Sequence, residues 1–293
     1  MIDVLDHRGT GQLETGQALE QEQASSGASG SLMAGFGGLS DKPGDPDAFG
    51  DNMGDLEDWP DTIDTSPEII ESFYVQQGQV GDCWFLAALG GVARENPEFL
   101  SEQMVQNEDG TWTVTFYDDG EPVEITVNPT SYENAVGDYG GNVNWATIYE
   151  KAAAEFFGGD YGDIDGDFPD RALEAITGND ASSIGDVGLS EIQDALANGP
   201  VAVASEAAPG SFQSWFIGGV DDNAIVPGHA YIVNDVAMHV NPATGEEELM
   251  IQLVNPWGPG LTGEDGHSKW GEQWLTEDEY NDNFRDVYAG TVG

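Results

Sequence analysis

The sequence predicts an α+β fold in two subdomains: a helix-rich half over residues 59–178, then a strand-rich half over residues 179–293. A disordered, acidic and Gly/Ser-rich tail over residues 1–58 precedes them. Three observations predict this layout. From Cys83, "CWFLAALGGVARENPEFL" is an apolar run of helical length. "TWTVTFYDDGEPVEITV" alternates apolar and polar positions about a central Asp-Gly, the pattern of a hairpin. Beyond Gly178 the apolar segments, "VAVAS", "HAYIVNDVAMHV" and "EELMIQLVNPW", shorten to strand length.

The elements follow in chain order. The first 58 residues are rich in Gly, Ser, Asp and Gln, with few aromatic or β-branched residues, and cannot bury enough apolar surface to fold. They read as a linker or flexible tail, with a propeptide as the alternative. "SPEIIESFYV" offers Ser66 as an N-cap, Pro67 as first helical residue and Glu68 and Glu71 in the first turn. The helix from Cys83 ends before Pro97. The hairpin pairs Trp112, Val114 and Phe116 with Val123, Ile125 and Val127. "NWATIYEKAAAEFFG" sets Trp145, Ile148, Ala152 and Phe156 at helical spacing and stops at Gly158. In the second half, "LSEIQDALANGP" is a short helix with Ser190 as N-cap. The next two strands meet at a turn over residues 241–245, and "WGEQWLTEDEYNDNF" closes the fold.

Charge excludes whole classes of partner. The chain carries 55 acidic residues against 7 Lys or Arg, a formal net charge of -48. It has no basic stripe for nucleic acid or an anionic membrane. Such density best suits a salt-loving (halophilic) setting, where the Debye length falls to about 3 Å at 1 M salt, with calcium-rich secretion and steering of cationic substrates as the alternatives. The N-terminus lacks the basic and apolar regions of a signal peptide, and no apolar run reaches the ~20 residues of a membrane helix. The expected location is therefore soluble and cytoplasmic, with leaderless export as the alternative. One cysteine precludes an internal disulfide.

That cysteine is the candidate nucleophile. Cys83 opens a helix, where free N–H groups and the helix dipole favour a thiolate. Gly78 and Gly81 permit a tight turn expected to expose the sulfur. A thiol nucleophile needs a base and a group that orients the base. Of the four histidines, His7 lies in the tail, His267 in a Gly/Asp loop, and His239 mid-strand beside a turn. His229 opens an apolar strand after Pro-Gly and is the best base. Asn255 ends the following strand and can hold the imidazole in one tautomer, as in a Cys-His-Asn arrangement.

"QGQVGDCWFLAAL", "GHAYIV" and "NPWG", in this order and at this wide spacing, resemble the protease core of the calpain family, which is papain-like. "KWGEQW", the hairpin and the Trp145 helix are similar too, and the resemblance covers about residues 60–285. It implies a cysteine endopeptidase acting on protein or peptide substrates through a thioester. Cys83 would attack, His229 would protonate the leaving amine, and Asn255 would orient His229. Gln77 would donate to the oxyanion beside the Cys83 N–H, and Trp257 would shield the His–Asn hydrogen bond. It also implies two calcium loops. Here, however, Tyr74 stands where an aspartate is expected in the first, and Lys269 and Thr276 replace carboxylates of the second. Calcium needs six to eight oxygen ligands, so a core that does not require calcium, and no other cofactor, is expected, with residual calcium binding left open. The Asp-rich run "GDYGDIDGDF" lacks the Glu that closes an EF-hand loop and reads as a solvated loop, with loose binding of an ion as the alternative. Self-inhibition by the tail is a further expectation. An inactive binding module with this fold and a papain-fold acyltransferase are the alternative functions.

Overall fold

The computed structural model describes residues 54–206, 225–258 and 271–293. The tail expectation therefore lies outside the described residues except at its end. There Leu56–Asp58, counted with the tail, forms strand β1 and pairs antiparallel with β5 (Thr130–Tyr132).

In the first half, helix α1 (Pro67–Ser72) precedes α2 (Cys83–Glu95). Pro97 ends α2 as expected, because it has no N–H to continue the ladder. The same residue then opens a second helix, α3 (Pro97–Gln103), where that missing N–H costs nothing. Strands β2 (Met104–Gln106), β3 (Trp112–Asp118) and β4 (Glu121–Val127) form an antiparallel sheet. The β3–β4 turn places Asp119 at φ 49° and Gly120 at φ 78°, the primed turn that matches strand twist. Helix α4 (Trp145–Phe157) is capped by Asn144, whose side chain accepts the Ala146 and Thr147 N–H groups. A 3-10 turn at Tyr161–Ile164 leads to α5 (Pro169–Thr177), which ends at Gly178.

The second half is one antiparallel six-stranded sheet in the order β10-β9-β8-β7-β11-β6. Its strands are β6 (Ser182–Gly185), β7 (Val201–Ser205), β8 (Ala230–Val240), β9 (Glu247–Val254), β10 (Glu272–Thr276) and β11 (Phe284–Ala289). Helices α6 (Leu189–Leu196) and α7 (Glu277–Asn283) complete it.

Two caps differ from expectation. Ser66 sits at the N-cap of α1, but its side chain makes no capping bond, and only Glu68 occupies the acidic first turn. Ser190 lies inside α6, one residue past the start, and Gly188 takes the cap position. The Ser190 hydroxyl bonds the Glu191 carboxyl instead.

How α2 meets the sheet positions the site. Successive side chains of a strand point to opposite faces. Ala202, Ala204, Ala230 and Ile232 join the core around α2, while Val201, Val203, Tyr231 and Val233 join the core under α6. Alanines on the α2 face let the helix approach closely. Gly90 takes this furthest, since a Cβ there would lie 2.3 Å from Ile232 Cδ1. Both faces of β7 and β8 are covered, which is why "VAVAS" and "AYIV" are continuous apolar runs. Trp84, Phe85, Leu86 and Leu89 are fully buried in α2, each contributing roughly 1.5–3 kcal/mol.

Candidate active site

Cys83 is the first residue of α2, and long-range contacts hold the segment before it. Gln76, Gln77 and Gln79 donate their backbone N–H groups to Gly137 O, Pro256 O and Asn134 O at 2.8, 2.8 and 2.9 Å. Gly78 lies so close to that neighbouring chain that a Cβ would meet Asn134 O at 2.1 Å. Glycine is required there for close approach. On the other side, Gly81 N–H donates to Asp165 Oδ1 at 3.0 Å, and Gly166 N–H donates to Gly81 O at 3.0 Å. Trp84 Nε1–H donates to Ile164 O at 2.9 Å. The Asp-rich run is thus not simply a solvated loop. Asp160 and Asp163 cap the 3-10 turn, Asp167 pairs with Arg171, and Asp165 is buried against the nucleophile's turn.

His229 immediately precedes β8 and is 1% exposed. Its N–H donates to Ser205 Oγ at 3.0 Å, and its carbonyl accepts Ser205 N–H at 2.9 Å. Its Nε2 lies 2.8 Å from Asn255 Oδ1. The same Oδ1 accepts the Trp257 backbone N–H at 2.9 Å, which identifies that amide atom as the oxygen. Nε2 must therefore carry the proton, leaving the Nδ1 lone pair to act as base. The Trp257 ring lies 4.9 Å from the imidazole, and Tyr231 meets it edge-on at 5.0 Å. Trp257 thus packs against the imidazole that Asn255 holds.

The two halves meet at the sulfur. The backbone N–H of Ala230, next to His229, faces Cys83 Sγ and favours its anion. His229 Nδ1 is buried and has no hydrogen-bond partner among the described residues. Cys83 is 1% exposed, contrary to the expectation that the glycine turn would expose its sulfur. Burial outweighs the helix N-terminus and pushes the thiol up to about 12, with the Asp82 carboxyl adding to the effect. Burial likewise pushes the imidazole down to about 4, although Asn255 opposes the fall. Burial thus shifts both groups toward their neutral forms, opposite to the direction expected from the helix N-terminus.

Gln77 lies beside the nucleophile's turn, with Nε2 donating to Val80 O at 2.8 Å. One amide proton is left for another acceptor. The Cys83 N–H, at the first position of α2, has no intrahelical acceptor. Motif reasoning overlooked the buried polar residues Ser205, Asp82, Glu150 and Asp165 and the ring of Tyr231. Only Asp82, adjoining the cysteine, left any local signal.

Of the three residues named at the two expected calcium loops, Tyr74 and Thr276 fall among the described residues. The Tyr74 ring packs on Tyr139 with centroids 4.0 Å apart. Thr276 caps α7, accepting Glu279 N–H at 3.2 Å. Lys269 lies outside the described residues, as does His267. Among the described residues, no helix is long and apolar enough to cross a membrane.

Comparison with known proteins agrees with this architecture. A family model described as calpain family cysteine protease matches residues 58–288. Calpain clp-4 of Caenorhabditis elegans is 28% identical over 274 residues, covering 77% of this chain and 36% of its own. Calpain-13 of Rattus norvegicus is 30% identical over 257 residues, covering 74% of this chain and 36% of its own. The chain thus spans about a third of the length of these relatives.

Proposed function

The chain belongs to the calpain family of cysteine proteases, and from that premise we propose that it is an active thiol endopeptidase that needs no calcium. The observation that carries the reading is His229 Nδ1: a buried, unpartnered base whose tautomer is held by Asn255, one residue from the N–H that faces the Cys83 sulfur.

The chemistry follows from those positions. The Cys83 thiol turns from Ala230 N–H toward Nδ1 and gives up its proton. Separately each charge is costly in this buried site, but formed together they make a pair of zero net charge. The thiolate attacks the peptide carbonyl. The resulting oxyanion is met by the Cys83 N–H and the remaining Gln77 amide proton. Imidazolium then protonates the leaving amine. The thioester is hydrolysed by water that Nδ1 deprotonates.

Calcium independence rests on direct contacts across the seam. Gln77 N–H donates to Pro256 O, and Arg94 of α2 bonds Asn234 of β8 and lies 3.7 Å from Glu272 of β10. Both halves are thereby aligned by the protein's own groups.

The test is a thiol-reactive peptidyl epoxide in the presence of chelator, with Cys83→Ala as control. Labelling of wild type only, together with casein cleavage, is the expected result. Labelling without cleavage would favour acyl transfer, and absence of both would favour a binding module.

A further inference from the structure

Helix α4 carries a fully buried carboxyl that the reaction above does not use. Glu150 is 0% exposed, and none of the ion pairs among the described residues reaches it. An acid buried without a cation costs stability, so what its oxygens hold matters. Both accept the Val136 N–H, at 3.2 and 3.1 Å. Thr147, three residues earlier and so on the same face of α4, donates its hydroxyl to Val136 O at 2.6 Å. Val136 is itself buried, and side chains of α4 thus meet both of its backbone groups.

The segment around Val136 carries the nucleophile's turn. Gln76 and Gly137 exchange backbone hydrogen bonds of 2.8 and 3.1 Å, and Gln79 N–H donates to Asn134 O at 2.9 Å. A Cβ at Gly78 would meet Asn134 O at 2.1 Å and Ala135 O at 2.8 Å. Residues 76–79, which include Gln77, therefore lie on residues 134–137 as on a template. Asn144, the N-cap of α4, adds a further tie by donating Nδ2–H to Tyr74 O at 3.2 Å.

We propose that Glu150 is a positioning residue for the oxyanion site: with Thr147 it fixes Val136, and the segment so fixed sets where Gln77 stands relative to Cys83. An oxyanion donor works only when held at hydrogen-bond distance from the place where charge develops. Slippage of the template therefore lowers kcat and leaves KM alone. Burial, joined by the charge of Asp82, holds the Glu150 carboxyl well above the usual carboxylate range. A neutral acid still offers a carbonyl oxygen to the Val136 N–H, and a glutamine offers the same.

The inference rests on the thiol-protease reading. The test compares wild type, Glu150→Gln and Glu150→Ala with a fluorogenic peptide, using thermal melts to establish that each variant is folded. E150A should lose roughly tenfold in kcat with KM alike, as for one buried N–H left without its acceptor, and E150Q should restore most of that loss. Alkylation of Cys83 by iodoacetamide, a displacement of iodide that forms no oxyanion, should run at the wild-type rate in both. In a Gln77→Ala background, E150A should cause little further loss, because both changes disable the same donor. An E150A kcat equal to wild type overturns the proposal, as does an E150Q kcat as low as that of E150A. Alkylation that slows in step with turnover, or losses that multiply in the double variant, also overturn it by pointing to general loosening. Should E150A melt below the assay temperature, Thr147→Val and Thr147→Ser decide by the same readings, with serine keeping the hydroxyl. Failure of the protease reading would appear separately, as wild type that neither cleaves nor takes up the epoxide.

Discussion

Gln77 and Pro256 are joined across the seam by a backbone hydrogen bond of 2.8 Å. It ties the segment bearing the candidate oxyanion donor to the loop bearing Asn255. Because only the main chain of Gln77 takes part, its side chain can be changed without breaking the join. Gln77→Ala should lower kcat by ~10²-fold, the loss of about 3 kcal/mol usual for an oxyanion donor. Single-turnover kinetics against a peptide ester would measure it, and a rate unchanged within error would remove Gln77 from the oxyanion site.

Asn255 Oδ1 accepts two N–H groups, from His229 and from Trp257. Asn255→Ala would leave the buried Nε2–H without an acceptor, at a cost of about 1–3 kcal/mol. We expect a 10- to 100-fold fall in kcat, with KM moving far less. Steady-state kinetics decides, and an equal rise in KM with no fall in kcat would argue for substrate contact instead.

Stability should depend on pH through Asp82. Its folded carboxyl is raised to about 8 from an ordinary 3.8, so between these values the native state holds a proton that the unfolded chain releases. That contribution to stability is fully present below pH 4 and is lost as pH rises toward 8. Asp165, raised to about 6, acts in the same direction over a narrower window. His229, lowered to about 4 from 6.5, acts the other way and costs stability as pH falls from 6.5 to 4. Asp82→Asn should therefore gain in Tm over wild type as pH goes from 4 to 8. A constant difference across that range would count against a buried, protonated Asp82.

Salt should stabilise the chain, because a net charge of -48 repels itself when unscreened. Only three ion pairs occur among the described residues, so little of that charge is locally neutralised. Calorimetry should show Tm rising between dilute buffer and molar salt, by about 2–4 °C for each kcal/mol of relieved repulsion. A flat response would sink the salt-loving reading.

Cutting the seam at Arg94 should separate alignment from chemistry. Arg94→Ala removes contacts to Asn234 and Glu272 but touches none of the reacting groups. We expect slower epoxide labelling of Cys83 and a lower Tm, with the pH profile unchanged. A labelling rate equal to wild type would mean that the packing of α2 on β8 aligns the halves unaided.

Local pattern alone determined the elements whose signals are short-range: α2 up to Pro97, the Asp119-Gly120 hairpin, α4 from Trp145 to its stop at Gly158, and the two-faced strand Val201–Ser205. It also determined the order of Cys83, His229 and Asn255 along the chain, though not the states of those groups. Only the tertiary structure decided that Asp165 is buried 84 residues away from the Gly81 N–H it accepts, in a stretch that composition marks as solvated. The upward shift of the Cys83 thiol, the proton on His229 Nε2 and the unpartnered Asp82 carboxyl likewise follow from the fold. Periodicity records which face of an element is apolar. A charge state depends on how much water the rest of the chain removes and on which donors it brings near, and segments far apart in sequence supply both.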